Sequence, residues 1–450
     1  MTLFNGFSRD TGAFIPTWFY YGIAPYFLSS VDMIRTSISR VHADGSSALA
    51  SRKVVLLAVA AAYICLIDRV AMSIAVIPMV AEFGWSPAHQ GNIMAAFFVG
   101  YVVLQLPAGW LSDRLGGKWV LGVGVVAWSL FTLLTPSAAG IGVTVLLICR
   151  FLMGVAESVT WPSVYNLFTL WVPDQQRGFA VGLLNSAISG GTIIALVMTP
   201  WLIDFGGWRF AFFAYGTLGL IWFVVWTPLI PNRRREAPGD FDDSATYRPL
   251  TVANALSSTP VIAMMVAHFC TNWLIYLSLA WLPTFLNQAH AVPLSEVGYW
   301  VVLPFVVSTV ATPLTGRLAD RLIARGVDRL TVRRAMQGTA LLGVAAAFLL
   351  VGYMEQVVWV VALFCLGNLA ASGAVAGIGA NPMELAPKHA ATLYGASNAL
   401  ASLGSAGAVF VAGQILEHTG SWTLVFQSAA LVGIVGALIY HLWSGVDRQF

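Results

Sequence analysis

Long apolar runs alternate with short polar connections along this chain of 450 residues. Each run lasts about 20 residues, the length that an α-helix needs to cross the hydrocarbon core of a bilayer. Twelve such runs begin near Val54, Gly91, Trp119, Ile141, Phe179, Phe210, Pro260, Gly298, Arg334, Gln356, Ala391 and Thr423. The pattern predicts an all-α integral membrane protein with twelve transmembrane helices.

The clearest polar stretch separates the sixth run from the seventh. It extends from Pro231 to Pro249 and carries charges and prolines without an apolar helical face. We therefore predict two pseudo-symmetric halves of six helices each. The predicted segments are a cytoplasmic N-terminal segment 1–53, a first half 54–230, a cytoplasmic linker 231–259, a second half 260–445 and a cytoplasmic tail 446–450.

A short motif occurs once in each half, where a long apolar run ends. A glycine is followed by Asp-Arg and then by further basic residues. The two copies consist of Gly109, Asp113, Arg114 and Lys118, and of Gly316, Asp320 and Arg321. Duplicated halves in so hydrophobic a chain are typical of alternating-access transporters. We expect both aspartates to pair with an arginine or to cap a helix at a cytoplasmic gate.

Composition supports a membrane protein and excludes other classes. Apolar residues make up 58% of the chain and charged residues 10%, against roughly 45–50% and about 25% in soluble domains. The formal net charge of +3 is too small to indicate a nucleic-acid partner. The four cysteines, Cys65, Cys149, Cys270 and Cys365, lie in apolar runs without a C-x-x-C partner. We interpret them as small core residues and expect no metal site, no cofactor and no enzymatic activity.

The cations in the loops predict the orientation. They lie in alternate loops, whereas the intervening loops contain only Arg209; the first set includes Arg114, Lys118, Arg177, Arg233, Arg234, Arg235, Arg248, Arg317, Arg321 and Lys388. This bias places both termini in the cytoplasm. The first 53 residues fit either an interfacial segment or a transit peptide, and the sequence does not decide between a plasma or inner membrane and an organelle membrane.

Four ionisable residues fall inside the predicted spans of the first half. Asp68 and Arg69 lie in the first span, and Arg150 and Glu157 lie in the fourth. Such residues need partners or a water-filled cavity, because a charge at the bilayer centre costs at least about 2.5 kcal/mol. Adjacent residues on a helix point about 100° apart, so Asp68 cannot be the main partner of Arg69. We expect Asp68 to pair with Arg150 and the other two to face a cavity; the alternative is a purely structural cluster.

Charge counting indicates how this cluster could work. The four ionised groups are neutral together, and protonation of either acid leaves a charge of +1 that attracts an anion. Proton binding and anion binding then favour each other, as a proton-coupled anion symporter requires.

The second half contributes polar groups without matching charges. His268 and Asn272 lie in the seventh span and Asn398 in the eleventh. We place them among the substrate-binding candidates, although a histidine in a span serves equally well in helix packing. Glu384 is interpreted as a gate or loop residue. Gly190, Gly191 and the glycines and serines near 402–407 are interpreted as close-packing and hinge positions.

Several segments resemble one transporter family. They are "DRVAMSIAVIPM" (68–79), "QLPAGWLSDRLGGK" (105–118), "CRFLMGVAES" (149–158), "AHFCTNWLIYLSLAWLPTF" (267–285) and "GASNALASLGSAGAVFVAGQIL" (395–416). Together with the paired Asp-Arg loops, they resemble the anion:cation symporter family of the major facilitator superfamily, which includes plastid phosphate transporters, sialin and the vesicular glutamate transporters. The likeness covers about 54–443.

The resemblance implies roles for individual residues. Arg69 would bind the anionic group of the substrate, and Tyr101 and Asn398 would contact it. Glu157 would carry a coupling proton, and Asp68 with Arg150 would form a second protonation and gating pair. Thr271 departs from the vesicular glutamate transporters, which carry an arginine there, so glutamate uptake of their type is doubtful.

The expected activity is secondary active transport of a small organic or inorganic anion, coupled to protons or, alternatively, to sodium. The expected partners are this anion and the lipid bilayer, and we expect a monomer. A drug antiporter is disfavoured because the fifth span lacks a glycine-proline motif. A non-transporting sensor would normally carry a long soluble extension, which the sequence does not show.

Overall fold

The computed structural model describes residues 45–105, 107–231 and 252–450. These residues form fifteen α-helices and no strand. The helices of the first half are α1 (Gly45–Phe83), α2 (Pro87–Gln105), α3 (Pro107–Leu115), α4 (Gly117–Ile141), α5 (Val143–Glu157), α6 (Thr160–Trp171) and α7 (Asp174–Leu229). Those that follow are α8 (Val252–Ser257), α9 (Thr259–His290), α10 (Leu294–Ala324), α11 (Arg329–Val351), α12 (Val357–Ala371), α13 (Asn381–Leu385), α14 (Ala390–Thr419) and α15 (Trp422–Trp443).

The helices account for twelve membrane crossings. Ten helical segments in the described part are long and apolar enough to span a bilayer, and α2 with α3, bent by 54°, forms an eleventh. The segment Phe179–Leu229 contains two spans, because Gly207 breaks the helix with a φ of 78°. Glycine adopts this left-handed conformation without a Cβ clash. The predicted all-α architecture of twelve transmembrane helices is therefore confirmed.

Equivalent helices pack in the same way in both halves. In the first half α2 packs on α5 and α4 on α7; in the second half α10 packs on α12 and α11 on α15. Between the halves, the contacts run mainly along α2 with α14 and along α7 with α10. The two halves are therefore similar six-helix bundles that contact each other along these two helix pairs.

Glycines allow the close approach of helices inside each half. A Cβ on Gly191 would lie 2.7 Å from Cβ of Leu66 on α1, and one on Gly404 would lie 2.6 Å from the carbonyl oxygen of Phe269 on α9. Real Cβ atoms do not come so near. The expectation of close packing at these positions is confirmed.

Glycines also mark where the halves touch most closely. A Cβ on Gly91 would lie 2.8 Å from the carbonyl oxygen of Val409, and one on Gly298 would lie 2.2 Å from that of Leu196. Both contacts lie at the end of the bundle away from the Asp-Arg motifs. At Gly109 and Gly316, by contrast, no heavy atom of the described residues outside the local helix backbone lies within 4 Å of the Cβ position.

Several predicted segments lie largely outside the described residues. They are most of the N-terminal segment 1–53 and most of the linker 231–259, including Arg233, Arg234, Arg235 and Arg248. The predicted tail 446–450 is described, and it is held against the bundle: the backbone amides of Gln449 and Phe450 donate to the carbonyl oxygen of Leu385 at 2.7 and 3.2 Å.

Candidate functional site

Two helices of the first half bring the four ionisable residues together. Asp68 and Arg69 lie on α1, and Arg150 and Glu157 lie on α5, which ends at Glu157. The side chains of Arg69 and Glu157 are 9% and 0% exposed, and Asp68 and Arg150 are buried as well. The first half therefore concentrates charge at a place from which water is largely excluded.

Arg69 and Glu157 form an ion pair between the two helices. Nε and Nη2 of Arg69 donate to the same carboxylate oxygen, Oε2 of Glu157, at 3.3 and 3.2 Å. The thiol of Cys65, one turn earlier on α1, donates to this oxygen at 3.2 Å. The other oxygen, Oε1, has no hydrogen-bond partner among the described residues. The carboxylate is therefore held on one side and free on the other.

The expected pairing of Asp68 with Arg150 is wrong for this conformation. Neither carboxylate oxygen of Asp68 has a hydrogen-bond partner among the described residues, although the indole of Trp128 on α4 lies beside it. Nη1 of Arg150 donates to the sulfur of Met153 at 3.0 Å. The reason is geometric: Asp68 lies beside Trp128 on α4, whereas the Arg150 guanidinium is directed to Met153 and the Phe97 ring.

Both arginines line one small cavity. It measures about 30 Å³ and is walled by α1, α2, α5 and α9; the polar or aromatic residues along it are Arg69, Ser73, Phe97, Phe98, Arg150 and Tyr276. The guanidinium carbons of Arg69 and Arg150 lie 5.0 and 5.1 Å from the centroid of the Phe97 ring. Two cations on a shared aromatic wall form a site suited to an anion.

The second half supplies the remaining wall of the cavity through α9. Tyr276 lines it, and the ring of Phe98 packs edge-on against Tyr276 at 4.8 Å. His268 and Asn272 precede Tyr276 by eight and four residues, so the three share a face of α9. They form a polar stripe that leads from the cavity towards the end of the bundle with the Asp-Arg motifs.

The other predicted binding residues do not line the cavity. The ring of Tyr101 packs against the Arg69 guanidinium, with 4.7 Å from its centroid to Cζ. Nδ1 of His268 lies 2.8 Å from Oγ of Ser397, while Asn272 and Asn398 are half-buried. The geometry brings Tyr101 to the arginine but leaves His268, Asn272 and Asn398 off the cavity wall.

Comparison with known proteins identifies the family. Residues 57–409 match the Major Facilitator Superfamily. The chain is 35% identical over 409 residues to the probable anion transporter 1, chloroplastic, of Oryza sativa subsp. japonica, covering 88% of this chain and 77% of that protein. It is 34% identical over 406 residues to the sodium-dependent phosphate transport protein 1, chloroplastic, of Arabidopsis thaliana, covering 88% and 79%. The chain belongs to the anion:cation symporter family of the major facilitator superfamily.

A solved structure shows the same fold. The bacterial homolog of the human lysosomal transporter Spinster, in an inward-facing and occupied conformation, superposes with a TM-score of 0.74 at 16% identity, covering 87% of this chain and 96% of that one. Membership of the superfamily confirms that this is a multi-pass membrane transporter and not an enzyme.

The first copy of the Asp-Arg motif makes its contacts within the first half. Nδ2 of Asn166 on α6 donates to Asp113 at 2.7 Å, and the amide of Gly117 donates to Oδ1 of Asn166 at 3.1 Å. Lys118 donates to the carbonyl oxygen of Thr227 at 3.0 Å, and the Arg114 guanidinium carbon lies 5.1 Å from the Trp110 ring centroid. Asp113 thus accepts a hydrogen bond from an asparagine, whereas the sequence predicted an arginine partner or a helix cap.

The second copy differs. Asp320 and Arg321 are exposed, and the ion pair at this end joins Arg333 on α11 to Glu384 on α13, with 2.8 Å between Nη2 and Oε1. The two copies of the motif therefore do not make equivalent contacts in this conformation.

Three residues of the site were not predicted from the sequence: Tyr276, Phe97 and Cys65. Phe97 lies among apolar residues of α2, so no polar pattern singles it out. Tyr276 follows His268 and Asn272 at helical spacing on α9, so a signal for it existed in the sequence. For Cys65 a signal existed, since it precedes Arg69 by one helical turn and shares its face.

Proposed function

We propose that the protein carries a small anion across a membrane by alternating access, in symport with a proton bound at Glu157. The observation that supports this most directly is the placement of Arg69. Its guanidinium lines the cavity and is at the same time held by the buried carboxylate of Glu157. The Arg69 guanidinium can therefore interact both with an anion in the cavity and with Glu157, the residue that binds the proton.

The coupling follows from competition for Arg69. While Glu157 is ionised, its oxygen takes the hydrogen bonds of the guanidinium. A proton on Glu157 removes this negative charge, so that the fork of Arg69 turns to an anion in the cavity beside Arg150. Anion binding in turn draws Arg69 from Glu157 and favours the protonated acid.

The small size of the cavity limits what it can hold in this conformation. A volume of about 30 Å³ holds only one or two water molecules. The site must therefore open around its substrate, and rearrangement of the Arg69–Glu157 pair is one movement that enlarges it.

The substrate class is proposed from the chemistry and the relatives together. Two guanidinium groups suit phosphate or a carboxylate, and the relatives above are named as an anion transporter and a phosphate transporter. We propose phosphate, sugar acids or other small carboxylates. Both termini are proposed to be cytoplasmic, with the protein acting as a monomer in the bilayer.

Counterflow in proteoliposomes tests the substrate class. Purified protein is reconstituted with labelled phosphate, a gluconate-type sugar acid, sialic acid and glutamate in separate preparations, and a pH gradient is then imposed with and without sodium. We expect exchange of at least one anion and its uphill uptake with protons. Exchange of cationic drugs alone, or uphill uptake driven only by sodium, would contradict the proposal.

A further inference from the structure

We propose that Cys65 is a positioning residue for proton coupling: its thiol fixes one oxygen of Glu157, so that the other oxygen receives the proton. The inference rests on the proposed function, because it needs Glu157 to carry the coupling proton.

The contacts of the carboxylate carry this inference. Sγ of Cys65 donates to Oε2 at 3.2 Å, and Nε and Nη2 of Arg69 donate to the same oxygen. Oε1 has no partner among the described residues, although the Glu157 side chain is 0% exposed. Three donors converge on one oxygen while a buried acceptor stays empty beside it. Oε1 is therefore the oxygen available to a proton.

The thiol is itself held in place. Oγ1 of Thr160 donates to the backbone carbonyl of Glu157 at 2.7 Å and lies 3.8 Å from Sγ of Cys65. Cys65 is fully buried, and Nη2 of Arg69 approaches Sγ at 3.7 Å. The sulfur is thus fixed between α1 and the start of α6.

This arrangement defines the proton step. A proton adds to Oε1 and forms an O–H bond, and the negative charge of the carboxylate disappears. The two N–H groups of Arg69 then leave Oε2 for the anion, whereas the thiol keeps donating to Oε2 and retains the carboxyl group against α1. When the O–H bond breaks, the thiol helps to stabilise the returning carboxylate, which recovers Arg69.

A second buried cysteine offers a matched control. Cys270 lies on α9, the first long helix of the second half, and its Cβ would be 2.6 Å from a Cβ on Gly436 of α15. Its role in this position is helix packing. A cysteine-to-alanine change there removes the same atoms without touching Glu157.

Transport by three variants tests the proposal. Loss of a hydrogen bond to an ionised carboxylate disfavours proton release, which net symport requires and counterflow exchange does not. We expect Cys65→Ala to reduce accumulation of the labelled anion under a pH gradient by about five- to tenfold, with counterflow retained. Cys65→Ser keeps a donor and should restore accumulation, and Cys270→Ala should behave like the unmodified protein. Full accumulation by Cys65→Ala, or failure of the serine variant to improve on it, would overturn the proposal.

Infrared spectroscopy separates this inference from the proposed function. The S–H stretching band of Cys65 is assigned by its loss in Cys65→Ala, and its frequency reports whether the thiol has an acceptor. We expect Glu157→Leu to shift the band to higher frequency, because the acceptor is removed. An unshifted band refutes the role of Cys65 even if transport is proton-coupled. Proton-driven uptake that survives Glu157→Gln refutes the proposed function whatever the band shows.

Discussion

The two six-helix halves share one arrangement of helices and divide the chemistry unequally. At the centre of the first half are four ionisable side chains, with Arg69 bound to Glu157. Inside the second half there is a neutral pair, in which Nε2 of Gln337 donates to Oγ1 of Thr271 at 2.9 Å, and the ion pair Arg333–Glu384 lies at the end with the Asp-Arg motif. The two halves thus share the packing, while the buried charges to which we assign the anion and the proton lie in the first half. The other half contributes a wall through Tyr276.

The largest effect is expected when the charged pair Arg69–Glu157 is broken, in comparison with the neutral pair Gln337–Thr271. Glu157→Leu leaves Arg69 buried without its partner, which should lower the free energy of unfolding by about 3–5 kcal/mol. In the second half Thr271→Val leaves the side-chain amide of Gln337 without its acceptor, and this should lower the free energy of unfolding by about 1–3 kcal/mol. Thermal unfolding in detergent measures both.

The control for this comparison is a double variant. Arg69→Met added to Glu157→Leu removes the unpaired charge and should recover part of the loss. Equal losses of unfolding free energy in Glu157→Leu and Thr271→Val would show that the Arg69–Glu157 pair is energetically unimportant. No recovery of stability in the Arg69→Met/Glu157→Leu double variant would show the same.

A smaller effect concerns the affinity for the anion. Arg69→Lys keeps the positive charge but loses the planar fork, so the dissociation constant should rise by roughly ten- to a hundredfold or somewhat more, or about 1.5–3 kcal/mol. Thermal-shift titration with the transported anion measures this. A dissociation constant equal to that of the unmodified protein would mean that Arg69 only neutralises Glu157.

The contribution of the second half should be smaller again. Tyr276→Phe removes one hydroxyl from the cavity wall, and we expect the dissociation constant to rise by no more than about tenfold, as for a neutral hydrogen bond. The same titration applies. A loss as large as that of Arg69→Lys would show that the halves share anion binding equally.

The smallest effects distinguish the two copies of the Asp-Arg motif. Asp113→Ala loses the hydrogen bond from Asn166 and should cost about 1 kcal/mol of stability. Asp320 is exposed, so Asp320→Ala should change stability by no more than about 0.5 kcal/mol. Equal melting temperatures for the two variants would indicate that the copies are equivalent in solution.

The fold could be predicted from the sequence because a bilayer demands long apolar helices. The twelve runs and the duplication suffice for that. The break at Gly207 was also anticipated in effect, since separate runs were expected near Phe179 and Phe210.

The residues of the site could be predicted, but not all their partners. A charge inside an apolar run is conspicuous, so Asp68, Arg69, Arg150 and Glu157 stand out. Which of them pair depends on the rotation of α1 and α5 about their axes. In spans that are apolar on nearly every face, the sequence pattern does not set this rotation. Cys65 and Tyr276 share helix faces with Arg69 and Asn272, but a thiol and an aromatic ring are also ordinary core residues, so the sequence does not show that they contribute to the site.

Glu157→Gln tests whether Glu157 carries the proton that releases Arg69 for the anion. Glutamine keeps the shape and an acceptor oxygen but cannot exchange a proton. In proteoliposomes under an imposed pH gradient, we predict that this variant exchanges the labelled anion by counterflow but does not accumulate it. Undiminished uphill accumulation by Glu157→Gln would exclude Glu157 as the group that carries the coupling proton.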